Sequence, residues 1–382
     1  MDQEGPFEKH QRSRKLSKQY YLGIARPKIN TFQFEVNLFG PGYGESIVAR
    51  IGNEDWLIID SCLDANGRPA PLAYLESIGV PFDHVRLLIA SHWHDDHVRG
   101  FSEILDNCVN AKVCMGQALT KAEFQTFVSH YNKAHPNDKF TSGTKELYTA
   151  LKILESRKAR GITATPDRRL WQNTPTSGEP SVEVWSLSPS DACSERFLKY
   201  ISLTMPALGI TKARAPSIKE NETAVAILIK YGESAVLLGS DLEETHQGWT
   251  AILSSSAKPN TKANLFKIPH HGSENGHHDK VWTEMLVENS IAILTPYNKG
   301  HKLPKMTDLD RIRSLTQNAY TTQILNRAPK PARPQNIEKM IRATAKSIEP
   351  IKKQMGHIHA KLCPKLTEWN IELNQGATSI HS

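Results

Sequence analysis

Apolar and polar positions alternate along several short stretches of this chain. Phe32-Gln33-Phe34-Glu35-Val36 has period two, the mark of a strand with one buried face. Residues 45–51 and 55–60 read as the next two strands. Gly40, Gly42 and Gly44 break the chain before the first of them, and Gly52-Asn53 reads as a hairpin turn between the two. Residues 70–77 have helical spacing. Residues 85–90 form a continuous apolar run, as expected of a strand covered on both faces. Strand patterns return at residues 182–187, 223–230, 234–238, 264–268 and 291–295, the middle pair joined by Tyr231-Gly232-Glu233. Short strands interleaved with helices predict an α/β fold rather than a helical bundle.

Between these blocks lies a more polar segment, from about 119 to 170. Within it Leu147, Ala150, Leu151 and Leu154 fall on one helical stripe, so the segment reads as a helical insertion. The first 30 residues are polar and basic without period and read as a loose arm. The main body then runs over 31–326. Residues 327–382, basic and punctuated by Pro329, Pro331 and Pro334, read as an extension that is helical from Ile337.

Composition narrows the class. Of 382 residues 39% are hydrophobic and 23% charged, enough for a sizeable core and too apolar for general disorder. No apolar run approaches the ~18 residues of a membrane helix, and the polar N-terminus lacks a signal core. The expectation is a soluble, cytoplasmic protein without a membrane span. Five scattered cysteines (Cys62, Cys108, Cys114, Cys193, Cys363), with no C-x-x-C pair, argue against a disulfide framework or a cysteine-zinc site. The formal net charge is +7. From Lys299 to Lys365 the chain has fifteen Lys/Arg against four acids, and residues 145–169 hold a second basic cluster. Solvated helix faces account for one such cluster; two raise the case for a polyanionic ligand.

The chemistry concentrates in Ser91-His92-Trp93-His94-Asp95-Asp96-His97, directly after the apolar run 85–90. Loops at the carboxyl ends of strands are where α/β sheets place their sites. Imidazole and carboxylate suit borderline divalent ions. On an extended segment His92 and His94 point the same way and can reach one ion, while Asp96 and His97 enter a helix and can reach a second. Asp241, just past the strand 234–238, can bridge two ions ~3.5–4 Å apart, and His270, past 264–268, can complete the second ion's shell. Asp60 likewise ends a strand. A His-rich surface loop would explain the first motif alone, but not these strand-end partners.

Together these residues resemble the metallo-β-lactamase fold superfamily, an αββα four-layer α/β sandwich. Asp60 matches its first motif, His92, His94, Asp96 and His97 its second, Asp241 its fourth and His270 its fifth. Further segments resemble the hydrolase domain of the ComEC-type DNA-uptake channel: Gly42-Tyr43-Gly44-Glu45-Ser46, Asn221-Glu222-Thr223-Ala224-Val225, Leu238-Gly239-Ser240-Asp241, His270-His271-Gly272-Ser273 and Asn298-Lys299-Gly300-His301. The resemblance spans about residues 32–304, interrupted by the insertion, and the channel itself is absent. The superfamily's third-motif His has no clear counterpart. His130 and His135 fall in the insertion, so His271 or His301 is the expected substitute.

The resemblance implies two divalent ions, Zn or Mn, that lower the pKa of bound water and yield a hydroxide nucleophile, with Asp96, Asp241 and His301 as catalytic groups. Applied to this basic chain it implies a phosphodiesterase acting on DNA or RNA. Lys299, Lys302, Lys305, Arg311 and Arg313 would then contact nucleic acid. Alternatives are a hydrolase of a small phosphodiester or other ester, of the nucleotide-signal or phosphocholine type, and a metal-binding, non-catalytic subunit of a defence complex. Protein partners in a multi-gene system are not legible.

Overall fold

The computed structural model describes residues 34–52, 54–134, 142–158, 161–175, 180–205, 221–323, 325, 334–344, 355–363 and 368–381. The strands in chain order begin with β1 (Glu35–Gly40), β2 (Ser46–Arg50), β3 (Trp56–Ile59), β4 (Val85–Ala90), β5 (Lys112–Gly116) and β6 (Ile162–Ala164). Then come β7 (Arg168–Gln172), β8 (Val182–Ser186), β9 (Ile227–Tyr231), β10 (Ser234–Leu238), β11 (Ala263–Lys267), β12 (Leu286–Leu294) and β13 (Ala319–Thr321). Last are β14 (Gly356–Cys363), β15 (Glu368–Asn374) and β16 (Thr378–Ser379). They form two eight-stranded sheets, ordered β15-β14-β1-β2-β3-β4-β5-β6 and β16-β13-β12-β11-β10-β9-β8-β7. The first sheet is antiparallel from β15 to β3 and parallel from β3 to β6; the second is antiparallel from β7 to β10 and parallel from β10 to β13, with β16 added antiparallel at its edge.

Alternation along the strands builds three cores. Leu57, Ile59, Leu87 and Ile89 face inward and meet Ile227, Ile229, Val236, Leu238, Leu265 and Ile293 between the sheets. Ile58, Leu88 and Ala90 face outward and are covered with Phe101, Phe124 and Phe127 from helices on that side. Leu228, Leu237, Phe266 and Leu294 face outward from the second sheet, under Trp249, Leu309 and Ile312. The result is a four-layer arrangement of helix, sheet, sheet and helix. Among the described residues no helix is long and apolar enough to cross a membrane. Cys62, Cys108, Cys114 and Cys193 are buried and in no disulfide.

Two sequence expectations change here. The insertion is helical over Ala122–Ala134 and Ser142–Ser156, with Leu147, Ala150 and Leu154 buried as their spacing predicts. Its remainder is not helical: Ile162–Ala164 and Arg168–Gln172 are β6 and β7, the outer strand of each sheet. The second change is at the other edge. Residues past 327 hold a helix, Gln335–Thr344, but then run back into both sheets. There β14 pairs with β1, β15 with β14, and β16 with β13. A basic composition concealed the alternation in Gly356–Cys363, where Ile358, Ala360 and Leu362 are buried. The arm, residues 1–30, lies outside the described residues.

Candidate metal centre

The strands β3, β4, β10 and β11 deliver their following residues to one edge. β3 ends in Asp60, which enters the left-handed region (φ 59°), as do Ser240 after β10 (47°) and His270 and His271 after β11 (47° and 53°). Non-glycine residues rarely adopt this conformation, and a cluster of them marks turns over-determined by their surroundings. After β4, residues 91–94 run extended into the short helix Asp95–Val98, and Asp96 and His97 are buried in it.

Asp60 lies behind the centre rather than on it. Its Oδ1 accepts from the Ser91 amide (2.7 Å) and its Oδ2 from the Ser91 hydroxyl (2.6 Å). The same Oδ2 lies 2.7 Å from His97 Nδ1. This leaves the opposite nitrogen, His97 Nε2, aimed at Asp241 Oδ2 (3.4 Å) and Asp96 Oδ2 (3.9 Å). His271 Nε2 lies 3.4 Å from both Asp96 Oδ2 and Asp241 Oδ2, and its Nδ1 donates to the Thr295 carbonyl (3.0 Å). Asp96, His97, Asp241 and His271 thus form one buried group whose ligand atoms all lie within 4.8 Å of one another. His92 is held from behind by Ser91 Oγ at its Nδ1 (2.9 Å) and packs its ring 4.1 Å from that of His97.

The group fits a divalent ion. His92 Nε2, His97 Nε2 and His271 Nε2 are buried without a hydrogen-bond partner, which a native interior tolerates rarely. Carboxylates and imidazoles fixed at the far nitrogen by a carboxylate or a carbonyl are the expected donor set with its outer support.

Electrostatics agree. Burial works against charge on His97, but the carboxylates of Asp241 and Asp60 outweigh it and hold its pKa well above the usual value. His271 rises likewise to about 10, Asp241 again opposing the effect of burial. Burial disfavours the Asp241 carboxylate, but His271 and His97 hold its pKa well below the usual range. Burial, then the His97 and His94 rings, keep His92 neutral. Without an ion the centre is a mutually compensated cluster of acids and imidazoliums; an ion takes the place of the protons.

A pH dependence follows for the metal-free protein. An imidazole whose folded pKa lies above its unfolded value of ~6.5 stabilises the fold fully below that pH and loses the contribution as pH rises through the folded value. For His271 the loss runs up to about 10, and His97 shifts in the same direction. Chelated protein is therefore expected to melt at falling temperature as pH rises above ~6.5, whereas metal-loaded protein, its rings bound in the neutral form, is expected to resist that fall. Melting curves with and without chelator check this; a flat profile for chelated protein would contradict it.

Not every sequence-assigned ligand joins the group. His271 stands where His270 was expected, because consecutive left-handed residues turn their rings apart (centroids 6.3 Å). His270 instead faces Glu243 Oε1 (Nδ1, 3.4 Å) and Asn221 Nδ2 (Nε2, 3.4 Å). His94 is half-buried, its ring 4.8 Å from that of His92, and lies outside the four-residue group. His301 is exposed on the loop after β12 and is likewise outside it. His130 sits on the insertion helix, and His135 is outside the described residues.

The basic residues divide. Lys299, Lys302 and Lys305 are exposed. Arg311 instead donates to the Gly272 carbonyl (2.7 Å) and pairs with Asp308, and Arg313 holds the Ile380 carbonyl (3.0 Å) and Asp310. Both guanidiniums are tied into the fold by these contacts. Arg157, Arg168 and Arg169 of the second cluster are tied similarly, to Leu105, Thr163 and Glu183. The sequence reading also missed Lys267. Its trace was a lysine set between Leu265-Phe266 and Ile268 in a strand run.

The family model of the metallo-β-lactamase superfamily matches residues 39–188. The fold is the metallo-β-lactamase sandwich. Solved structures similar to the chain include the metallo-β-lactamase fold protein YhfI from Bacillus subtilis, at 16% identity over 62% of this chain and 71% of that one, with a TM-score of 0.30. A subclass B3 metallo-β-lactamase from a soil metagenome aligns at 12% identity over 64% and 83%, with a TM-score of 0.31. A metallo-β-lactamase with a HARLDQ motif from Cronobacter sakazakii aligns at 12% over 57% and 60%, with a TM-score of 0.29. No curated protein matches the sequence. The family match covers the first part of the sandwich, and the buried His/Asp group gives the structure a centre suited to divalent metal.

Proposed function

We propose that the protein is a metal-dependent phosphodiesterase acting on DNA or RNA. The observation that carries this reading is the cationic, aromatic rim beside the buried ligand group. The Tyr297 ring lies 5.3 Å from His271 and 5.5 Å from Tyr43. Over Tyr43 stand Lys299 (Nζ 4.4 Å from the ring centroid) and Arg99 (Cζ 5.0 Å). Two cations on one aromatic ring at the mouth suit a phosphate with a stacked base. The motifs resembling the ComEC-type hydrolase point to the same substrate class.

Divalent ions in this group would lower the pKa of water and polarise a phosphoryl oxygen. Asp241 presents Oδ2 to both ring nitrogens of His97 and His271, Asp96 meets the same His271 from the other side, and Asp60 holds the tautomer of His97. Lys299 and Arg99 would bind the ester's non-reacting anionic part.

A second reading, a hydrolase of a small phosphodiester, is favoured by the internal engagement of Arg311, Arg313, Arg157 and Arg169, which shortens any basic track. One experiment separates the two. After metal analysis, the protein is incubated in Mn²⁺, Mg²⁺ or Zn²⁺ with single-stranded DNA, duplex DNA, RNA and bis-p-nitrophenyl phosphate. Cleavage of a nucleic acid supports the proposal; turnover of the small ester alone selects the second reading. In the first case the double variant Lys302→Met/Lys305→Met is expected to flatten the slope of log affinity against log salt. The change is ~0.7–0.9 for each phosphate that the variant no longer neutralises, with turnover of the small ester changed little.

A further inference from the structure

Beneath the ligand group lies an ion pair with no exposure to solvent. Lys267 is 0% exposed and Glu45 1%. The ammonium lies 2.5 Å from Glu45 Oε1, donates to the Ser240 carbonyl (2.8 Å) and faces Asp241 Oδ1 at 3.8 Å. Such a pair is costly to bury and is weak evidence for stability by itself. Its connections give it another role. The Glu45 amide donates to the Asp96 carbonyl (3.0 Å), an approach open because Gly44 has φ 97° and a Cβ there would lie 2.9 Å from that oxygen. Glu45 Oε2 accepts from the Thr295 hydroxyl, and the Thr295 carbonyl orients His271. Glu45 Oε1 also lies 3.9 Å from His97 Nδ1. Through Lys267 the same carboxylate reaches Asp241 and the left-handed Ser240 turn, whose carbonyl also accepts from the His270 amide (3.0 Å).

We propose that Lys267, with Glu45, is the positioning element of the metal centre: it draws Oδ1 of Asp241 away from the ligand group so that Oδ2 meets His97 and His271. The inference rests on the reading of Asp96, His97, Asp241 and His271 as metal ligands. Two physical effects of removing Lys267 oppose each other, which makes the proposal testable. Removing a nearby positive charge favours a bound cation. Removing the ammonium that holds Asp241 and Ser240 lets the carboxylate turn and disfavours it.

The test uses Co²⁺ as probe, with calorimetric titration and the visible d–d spectrum as readouts. Lys267→Met alone strands the Glu45 charge and is expected to lower the melting temperature. The double variant Glu45→Gln/Lys267→Met removes both charges and is expected to recover most of that loss. If the pair positions Asp241, the double variant, though refolded to near-parent stability, still binds Co²⁺ at least tenfold more weakly and with an altered spectrum. If it binds Co²⁺ with the parent's affinity and spectrum, or more tightly, the pair is structural or purely electrostatic and the proposal falls. Should the parent itself bind no Co²⁺, the metal-centre reading fails instead.

Discussion

Asp241→Asn is expected to reduce hydrolysis by ~10³-fold or more. Asp241 places its Oδ2 3.4 Å from Nε2 of both His97 and His271. Charge stabilisation by a catalytic metal is worth several kcal/mol, and ~4 kcal/mol corresponds to ~10³ in rate. The amide is isosteric, so the strand-end turn at Gly239-Ser240 should survive. The substitution also withdraws the negative charge that raises the pKa of His97 and His271. Those rings then lose protons at lower pH, and chelated variant protein should lose less stability than the parent as pH rises above ~6.5. Steady-state turnover of bis-p-nitrophenyl phosphate and melting curves measure the two effects. Activity within tenfold of the parent would remove Asp241 from the centre.

A chain ending at residue 326, the boundary that composition indicates for the hydrolase body, is expected not to fold. Truncation removes Ile358, Leu362 and Ile380, buried to 0%, 2% and 3% exposure. At ~1.5–3 kcal/mol for each fully buried aliphatic side chain, the loss is on the order of 5–9 kcal/mol, comparable with a typical total stability. It also bares the edge of β1, which pairs with β14 from Glu35 to Gly40. Gly356→Ala makes the same point with one methyl group: a Cβ there would lie 1.5 Å from the Thr322 carbonyl oxygen. Soluble yield and circular dichroism of both variants decide the matter; a folded, active truncation would show the last three strands to be dispensable.

How far the residues foretold this structure depended on whether local pattern and tertiary role agreed. Val85–Ala90 and Ser234–Leu238 were legible to the residue because strands in mid-sheet are apolar on both faces. His92, Asp96, His97 and Asp241 were legible because a strand end followed by ligands is a pattern of sequence. Strands at or next to the sheet edges were not: Arg168–Gln172 and Gly356–Cys363 carry arginine, lysine and histidine on their open faces and read as basic tracts. The choice between His270 and His271 was likewise hidden, since it turns on two backbone angles. Lys267 and Glu45 are neighbours only through the pairing of elements far apart in the chain.

The seam between β1 and β14 joins residues far apart in the chain, His357 meeting Asn37 across 320 positions. On a ribosome adding ~5–20 residues per second, the first strand waits on the order of tens of seconds for its neighbour. Asp96, His97, Asp241 and His271 have all been synthesised before then. The nascent protein therefore passes through a period in which its metal ligands exist but the sheet that seats them has an open side. Ion capture during that period is disfavoured, because the ligands are not yet held together. Metal loading is therefore expected only after translation of the last strands.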